Sequence, residues 1–252
     1  MGRRFQKQMA YITGVLRRRA PHLIGHLRTA RKAAAPPDFY PSDIPALDPR
    51  RREDVFCPYT QEKAYLRGTY DYLRALALVP KHAVIAGYVN RLASRRVLDM
   101  GCGTAELLAH LALGVAYTGI DLSPAAIGAA KARYGDRPNT RFIAGDFSCA
   151  PMPSLTFDCI VWSGVGWTWT RAGGRGSDVN DLNRVVDRAG GHLEPGGHFI
   201  FEAIPGWWET LERAFYADYV LITSCDLHCH QCRETPRRDI RVLRRRAPGE
   251  AR

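Results

Sequence analysis

The pattern of hydrophobic and polar positions changes character near residue 95 of this 252-residue chain. Before that point it is helical or irregular. Residues 3–34 read as one or two basic helices broken near Pro21, and 35–50 ("APPDFYPSDIPALDPR") as a Pro-rich linker. From Thr60 to Val79, apolar and aromatic residues at Ala64, Tyr65, Tyr72, Leu73, Leu76 and Val79 approximate helical spacing, and a second helix is expected over 82–93.

After residue 95, short apolar runs alternate with helical segments. Strands are expected at 96–100, 116–121, 140–146, 157–163 and 198–204, with helices over 104–112, from Ser123-Pro124 to Tyr134, and over 177–193 before an "EPGG" turn. Serine as N-cap with proline at the first helical position is a strong start signal. "ADYVLITS" and "RRDIRVLRR" read as a closing hairpin. Alternation of this kind predicts an α/β fold: a doubly wound, mostly parallel seven-stranded sheet with helices on both faces. The expected division is a basic N-terminal helical arm and linker (1–59) and a single α/β domain (60–252).

Composition narrows this picture. The hydrophobic fraction of 46% suits a large buried core. No apolar run approaches the roughly 20 residues of a membrane-spanning helix. The arginine-flanked "MAYITGVL" is short and lacks a small-residue cleavage site, so no signal peptide is read. The opening Met-Gly has Gln6 where a myristoylation motif wants Ser or Thr. Seven cysteines, an odd and scattered set, point to a reducing cytoplasm rather than a disulfide framework. The net charge of +11 is concentrated near the two ends, and is read first as solvated surface, then as a contact for acidic partners.

The chemistry concentrates at "VLDMGCGTAELL" (97–108). An apolar strand stops at Asp99 and turns through Gly101 and Gly103, at the point where open α/β sheets bind ligands. Asp121 ends the next strand and Asp146 the third, and an acid about 20 residues beyond such glycines is placed for ribose hydroxyls. Glu106 occupies the position where a dinucleotide fold wants its third glycine. A carboxylate there opposes a pyrophosphate, so dinucleotide binding is excluded.

"VLDMGCGTAELL", "GIDLSPAAI", "FIAGDF", "FDCIVWSGVGW" and "HLEPGGHFIFE", in this order over residues 95 to about 204, resemble the motif set of class I S-adenosylmethionine-dependent methyltransferases. The resemblance implies that Gly101, Cys102 and Gly103 cradle the methionine part of the cofactor, with Asp99 beneath its amino group. It implies Asp121, followed by Leu122, on the ribose, Asp146 and Phe147 at the adenine, and Trp162 and Ser163 facing the reactive methyl. A sulfonium without phosphates suits carboxylates and aromatic faces.

The segment after the fourth strand, "WSGVGW", lacks the Asn/Asp-Pro-Pro-Tyr of amino-methylating nucleobase enzymes and the Pro-Cys of cytosine C5 enzymes. It resembles the small-molecule, natural-product branch, which implies a small-molecule acceptor methylated on nitrogen or oxygen. Trp167 and Trp169 are expected either to wall the acceptor pocket or to pack without contact. Tyr70 is a candidate lid hydroxyl and, with Trp167, a candidate catalytic residue, with buried packing as its alternative. His82, His192 and His198 are expected to be structural.

"CDLHCHQC" places Cys225, Cys229 and Cys232 in a spacing similar to radical S-adenosylmethionine enzymes, but the 20 residues after Cys232 cannot build the barrel they require. A hairpin without metal is expected, with zinc and iron–sulfur as alternatives. Two other functions stay open: nucleic-acid methylation using the basic ends, and a non-catalytic cofactor-binding module. The oligomeric state is open, a homodimer included.

Overall fold

The computed structural model describes residues 62, 65–68, 70–74, 78–147, 150–152, 154–164, 179–203, 215, 217–228 and 237–250, without the side chains of 72, 73 and 179–184. The arm and linker over 1–59, Trp167, Trp169, Cys229 and Cys232 lie outside the described residues.

Seven strands form one sheet: β1 (Arg96–Met100), β2 (Ala116–Asp121), β3 (Thr140–Ala144), β4 (Phe157–Ser163), β5 (Leu193–Ala203), β6 (Tyr219–His228) and β7 (Arg237–Arg245). Their order is β3-β2-β1-β4-β5-β7-β6. β3 through β5 run parallel. β7 is antiparallel to both its neighbours, so the closing hairpin inserts its second strand beside β5. The expected doubly wound, mostly parallel sheet is present.

The central strands are apolar on both sides because both faces are covered. On one face Leu98, Ile120, Trp162, Phe199, Phe201 and Leu243 pack with Val185, Val186 and Ala189 of helix α3 (Val179–His192). On the other, Val97, Val161, Ile200 and Val242 pack beneath α1 (Val79–Arg91), α2 (Pro124–Tyr134) and the short 3-10 helix Glu106–His110. α1 buries Lys81, His82, Ile85, Ala86 and Val89, one helical stripe that includes two ionisable residues. α2 starts as its sequence predicts, with the Ser123 hydroxyl accepting from the Ala126 N–H at 3.1 Å and Pro124 in the first turn.

Four elements depart from the sequence-based expectation. A continuous helix over 60–79 does not form. The chain turns at Arg67–Gly68, with Gly68 at φ +68 and its N–H on the Tyr65 carbonyl, and re-enters a 3-10 turn at Asp71–Arg74. The helix expected over 104–112 shrinks to Glu106–His110. Ala105 at φ +61 delays its start, and the Arg137 guanidinium closes its end by donating to the carbonyls of Leu108, Leu111 and Ala112. The "EPGG" turn is an irregularity inside β5: Leu193 pairs with Phe157 and His198 with Cys159, and Gly196 at φ +77 takes up the excess chain. β6 also runs further than expected. Cys225 and His228 are strand residues opposite Ile240 and Arg237, and no cluster of three metal-binding side chains occurs among the described residues.

Candidate functional site

β1 lies between β2 and β4; the chain runs outward from β1 through β2 to β3 and then crosses back to β4 on the other side of β1, so the crevice opens at the carboxyl ends of these strands. The corner after β1 is built from left-handed backbone: Gly101 at φ +74 and Gly103 at φ +54. The Gly101 and Cys102 N–H groups both donate to the Ile120 carbonyl at the end of β2, at 2.8 and 3.1 Å. Glycine at 103 also leaves space for a neighbouring side chain. A Cβ there would stand 2.5 Å from the Tyr65 hydroxyl, which lies over the corner.

Asp121 fastens the corner from the neighbouring strand. Its Oδ2 accepts the Gly103 N–H at 2.8 Å and its Oδ1 the Ser123 N–H at 2.9 Å. Burial pushes its carboxyl up, and those two N–H donors oppose the shift. One strand over, buried Asp99 accepts the Tyr117 hydroxyl at 2.6 Å. Burial raises Asp99 to about 6, against the Tyr117 hydrogen bond and the charge of Lys81. Cys102 is buried, and desolvation with the Asp99 and Asp121 charges raises its thiol well above the usual range. It is packing, not a nucleophile.

Sheet alternation sorts the predicted residues by face. Asp99, Asp121 and Ser163 share the parity of Val97, Val161 and Ile200, whose side chains pack under α1. Trp162 points to the opposite face, 2% exposed, with ring centroids 5.5 Å from Phe201 and 6.5 Å from Phe199. The expectation that its side chain faces the reactive methyl gives way to a core role, because β4 turns consecutive side chains to opposite faces. Phe147 also packs into that core, with the Arg188 guanidinium 5.9 Å from its ring. Asp146 is exposed beyond β3 and Leu122 half-buried beyond β2. Tyr70 packs beside Tyr65, the rings tilted by 52° with centroids 4.8 Å apart, and it is Tyr65 that reaches the glycine corner.

Sequence reasoning passed over four residues here. Glu62 accepts the Ser123 hydroxyl at 2.5 Å and the Ala125 N–H at 2.7 Å, tying the segment before α1 to the start of α2. Lys81, Glu202 and Arg238 form a buried charge cluster. Glu202 Oε2 lies 3.4 Å from Lys81 Nζ and 2.7 Å from Ser163 Oγ, and its Oε1 lies 3.4 Å from Arg238 Nη1. The available signal was a lysine within the apolar stripe of α1 and a glutamate inside "HFIFEAI". Glu106, the residue that argued against a pyrophosphate, is occupied by two hydrogen bonds from Arg133 Nη1, at 2.7 and 2.8 Å. His82, lowered to about 3 by burial and by Lys81 and His110, is neutral and structural as expected.

The donor set fits a cationic nucleoside. Buried carboxylates Asp99 and Asp121 flank a close-approach glycine corner, and the nearest buried lysine is matched by Glu202.

Residues 97–197 match the profile of the methyltransferase domain family. An uncharacterized methyltransferase of Mycobacterium tuberculosis is 29% identical over 107 residues, covering 42% of this chain and 49% of the relative. Trans-aconitate 2-methyltransferase of Delftia acidovorans is 30% identical over 108 residues, covering 41% of this chain and 36% of that enzyme. The chain thus spans about half or less of the length of these curated relatives. Among solved structures, the N-methyltransferase NodS of Bradyrhizobium japonicum with S-adenosyl-L-homocysteine superposes with a TM-score of 0.62 at 19% identity, covering 75% of this chain and 98% of NodS. The glycopeptide N-methyltransferase MtfA, also with S-adenosyl-L-homocysteine, gives 0.51 at 15% identity, covering 66% and 88%. At these identities the structural likeness is one of fold.

Proposed function

We propose, from its membership of the class I S-adenosylmethionine-dependent methyltransferases, that this chain methylates a nitrogen or oxygen of a small molecule, in a biosynthetic pathway of the natural-product kind. Its cofactor is S-adenosylmethionine. One observation supports the choice of acceptor over nucleic acid: the arginines of the basic strand β7 are paired with partners within the protein. Arg237 pairs with Asp226, Arg238 with Glu202, Arg241 with Asp239 and Arg244 with Glu250, while Arg245 donates to the carbonyls of Gly190 and Leu193. Nucleic-acid binding draws its affinity from cations available to phosphates, and these are committed elsewhere.

The bound cofactor supplies a methyl group on positively charged sulfur, already a good leaving group. The protein's contribution is alignment, which is worth roughly 7–11 kcal/mol in well-oriented reactions. Asp121 is placed to accept from ribose hydroxyls, Asp99 to pair with the amino group, Asp146 and the Phe147 N–H to hold the adenine, and Tyr65 to cover the glycine corner. Trp167 and Trp169 remain candidates for the acceptor wall, and Tyr70 for support of Tyr65.

The Asp99 role has a pH signature. Asp99 titrates near 6 before a ligand binds, so its charge is present above that pH and lost below it. Affinity for S-adenosyl-L-homocysteine is expected to rise as pH increases from 5 to 7.5, and Asp99→Asn to flatten the profile. Isothermal titration across that range checks both.

The acceptor class is tested by incubating the full chain with methyl-labelled S-adenosylmethionine and, in separate reactions, amino sugars, aromatic amines, phenols and total RNA. Label is expected in the small-molecule reactions. Label confined to RNA, with binding that weakens steeply with salt, would replace this assignment by the nucleic-acid one.

A further inference from the structure

Ser163 and Glu202 are direct partners in the β4–β5 ladder, and Ser163 stands one step beyond the Met100–Trp162 pair, level with Gly101 across the β1–β4 crevice. Ser163 is half-buried, whereas Glu202 is fully buried beside it. The turn that follows is held by the same residue. The Gly164 N–H donates to the Glu202 carbonyl at 3.1 Å, and Gly164 takes the left-handed backbone the turn needs, at φ +73.

A serine hydroxyl has one hydrogen and two lone pairs. Here the hydrogen is spent on Glu202 Oε2, at 2.7 Å. Burial alone would push the Glu202 carboxyl up, but Lys81 and Arg238 outweigh it and hold the group below its usual range. Glu202 therefore stays ionised, an acceptor only, and the Ser163 proton has one direction to point. Toward the crevice the hydroxyl offers lone pairs and no hydrogen.

We propose that Ser163 is a dedicated hydrogen-bond acceptor at the methyl-transfer point, locked by Glu202, and that the substrate's nucleophile is an uncharged amine whose N–H points at Ser163 while its lone pair faces the methyl. This rests on the cofactor placement proposed above. An amine fits better than a hydroxyl because the Ser163–Glu202 pair supplies no base. The serine cannot take a proton while its own is held, and Glu202 is a weak base between two cations. An amine needs none for attack. Its lone pair forms the N–C bond as the C–S bond breaks, sulfur keeps the bonding pair and becomes a neutral thioether, and the methylated ammonium releases its proton to water.

A cofactor analogue tests this without knowledge of the acceptor. Sinefungin carries an amine-bearing carbon where S-adenosylmethionine carries its methyl sulfonium, so it presents N–H donors at the transfer point; S-adenosyl-L-homocysteine presents none. Isothermal titration of the full chain with both ligands is expected to show sinefungin preferred by about tenfold or more, in the range of a hydrogen bond to or from a charged group. In Ser163→Ala that preference is expected to fall about tenfold, and in Ser163→Thr, which keeps the hydroxyl, to persist. Glu202→Gln is expected to lower it as well, because the amide can donate to Ser163 and release the hydroxyl hydrogen toward the crevice. Equal affinities in the unsubstituted protein, or a preference that survives Ser163→Ala, would overturn the assignment. Absence of binding by either ligand would instead remove the cofactor placement beneath it.

Discussion

Asp121→Asn is expected to weaken S-adenosyl-L-homocysteine binding by about 100-fold or more while the protein stays folded. A carboxylate on two ribose hydroxyls makes charged hydrogen bonds worth about 1.5–3 kcal/mol each, and each 1.4 kcal/mol is a factor of ten in affinity. In this structure the same carboxylate has a second task, accepting the Gly103 and Ser123 N–H groups at 2.8 and 2.9 Å. Asp121→Ala therefore strands two buried donors, at a cost of about 1–3 kcal/mol each, and loosens the glycine corner itself. Asparagine keeps the volume and one acceptor oxygen, so comparing the two variants separates ligand recognition from scaffold. Titration calorimetry reads the first and urea unfolding the second. Unaltered affinity in Asp121→Asn would show that the ribose is held elsewhere.

The hold of Asp121 on Gly103 and Ser123 also marks where the sequence stops being informative. The positions of the strands were legible because fully buried parallel strands leave uninterrupted apolar runs such as "CIVW", and the start of α2 because Ser-Pro has a local meaning wherever it occurs. The glycine corner was legible for the same reason, since positive φ at 101 and 103 is a property of the local backbone. What escaped was decided by distant partners. The first helix after the corner is closed at its end by Arg137, a residue beyond α2. The helix expected over 60–79 breaks where Gly68 turns, which lets Tyr65 lie against Gly103.

Trp162 illustrates a different limit. Motif order places it at the crevice, but strand parity sends its side chain into the aromatic core with Phe199 and Phe201, and only Ser163 of that pair shares the face of Asp99 and Asp121. Lys81, Glu202 and Arg238 lie on α1, β5 and β7, so no local pattern connects them. Lys81 and Glu202 each read as an isolated charge in an apolar stretch, and Arg238 as one member of a basic run.

That cluster makes the largest stability prediction. Lys81, Glu202 and Arg238 are 4%, 0% and 8% exposed, and Glu202 is the shared partner of both cations. Removing it leaves two positive charges facing each other in a medium that solvates them poorly. Breaking a buried pair in this way costs about 3–5 kcal/mol. Glu202→Ala is therefore expected to lose about that much in urea unfolding at neutral pH, with the unfolding slope unchanged. A solvent-exposed pair provides the control: Arg244 and Glu250 hydrogen-bond at 2.6 and 3.0 Å on the surface, and Glu250→Ala is expected to leave the midpoint in place because water screens the pair. The triple variant Lys81→Met, Glu202→Leu, Arg238→Met is expected to recover most of the loss, since an apolar replacement carries no desolvation penalty. It would do so without restoring the sinefungin preference, because Ser163 would no longer have a carboxylate to hold its hydrogen. Recovery of stability without recovery of ligand preference would separate what the charges do for the fold from what they do at the site. A Glu202→Ala variant as stable as the Glu250→Ala control would mean that Lys81 and Arg238 find other partners once the carboxylate is gone.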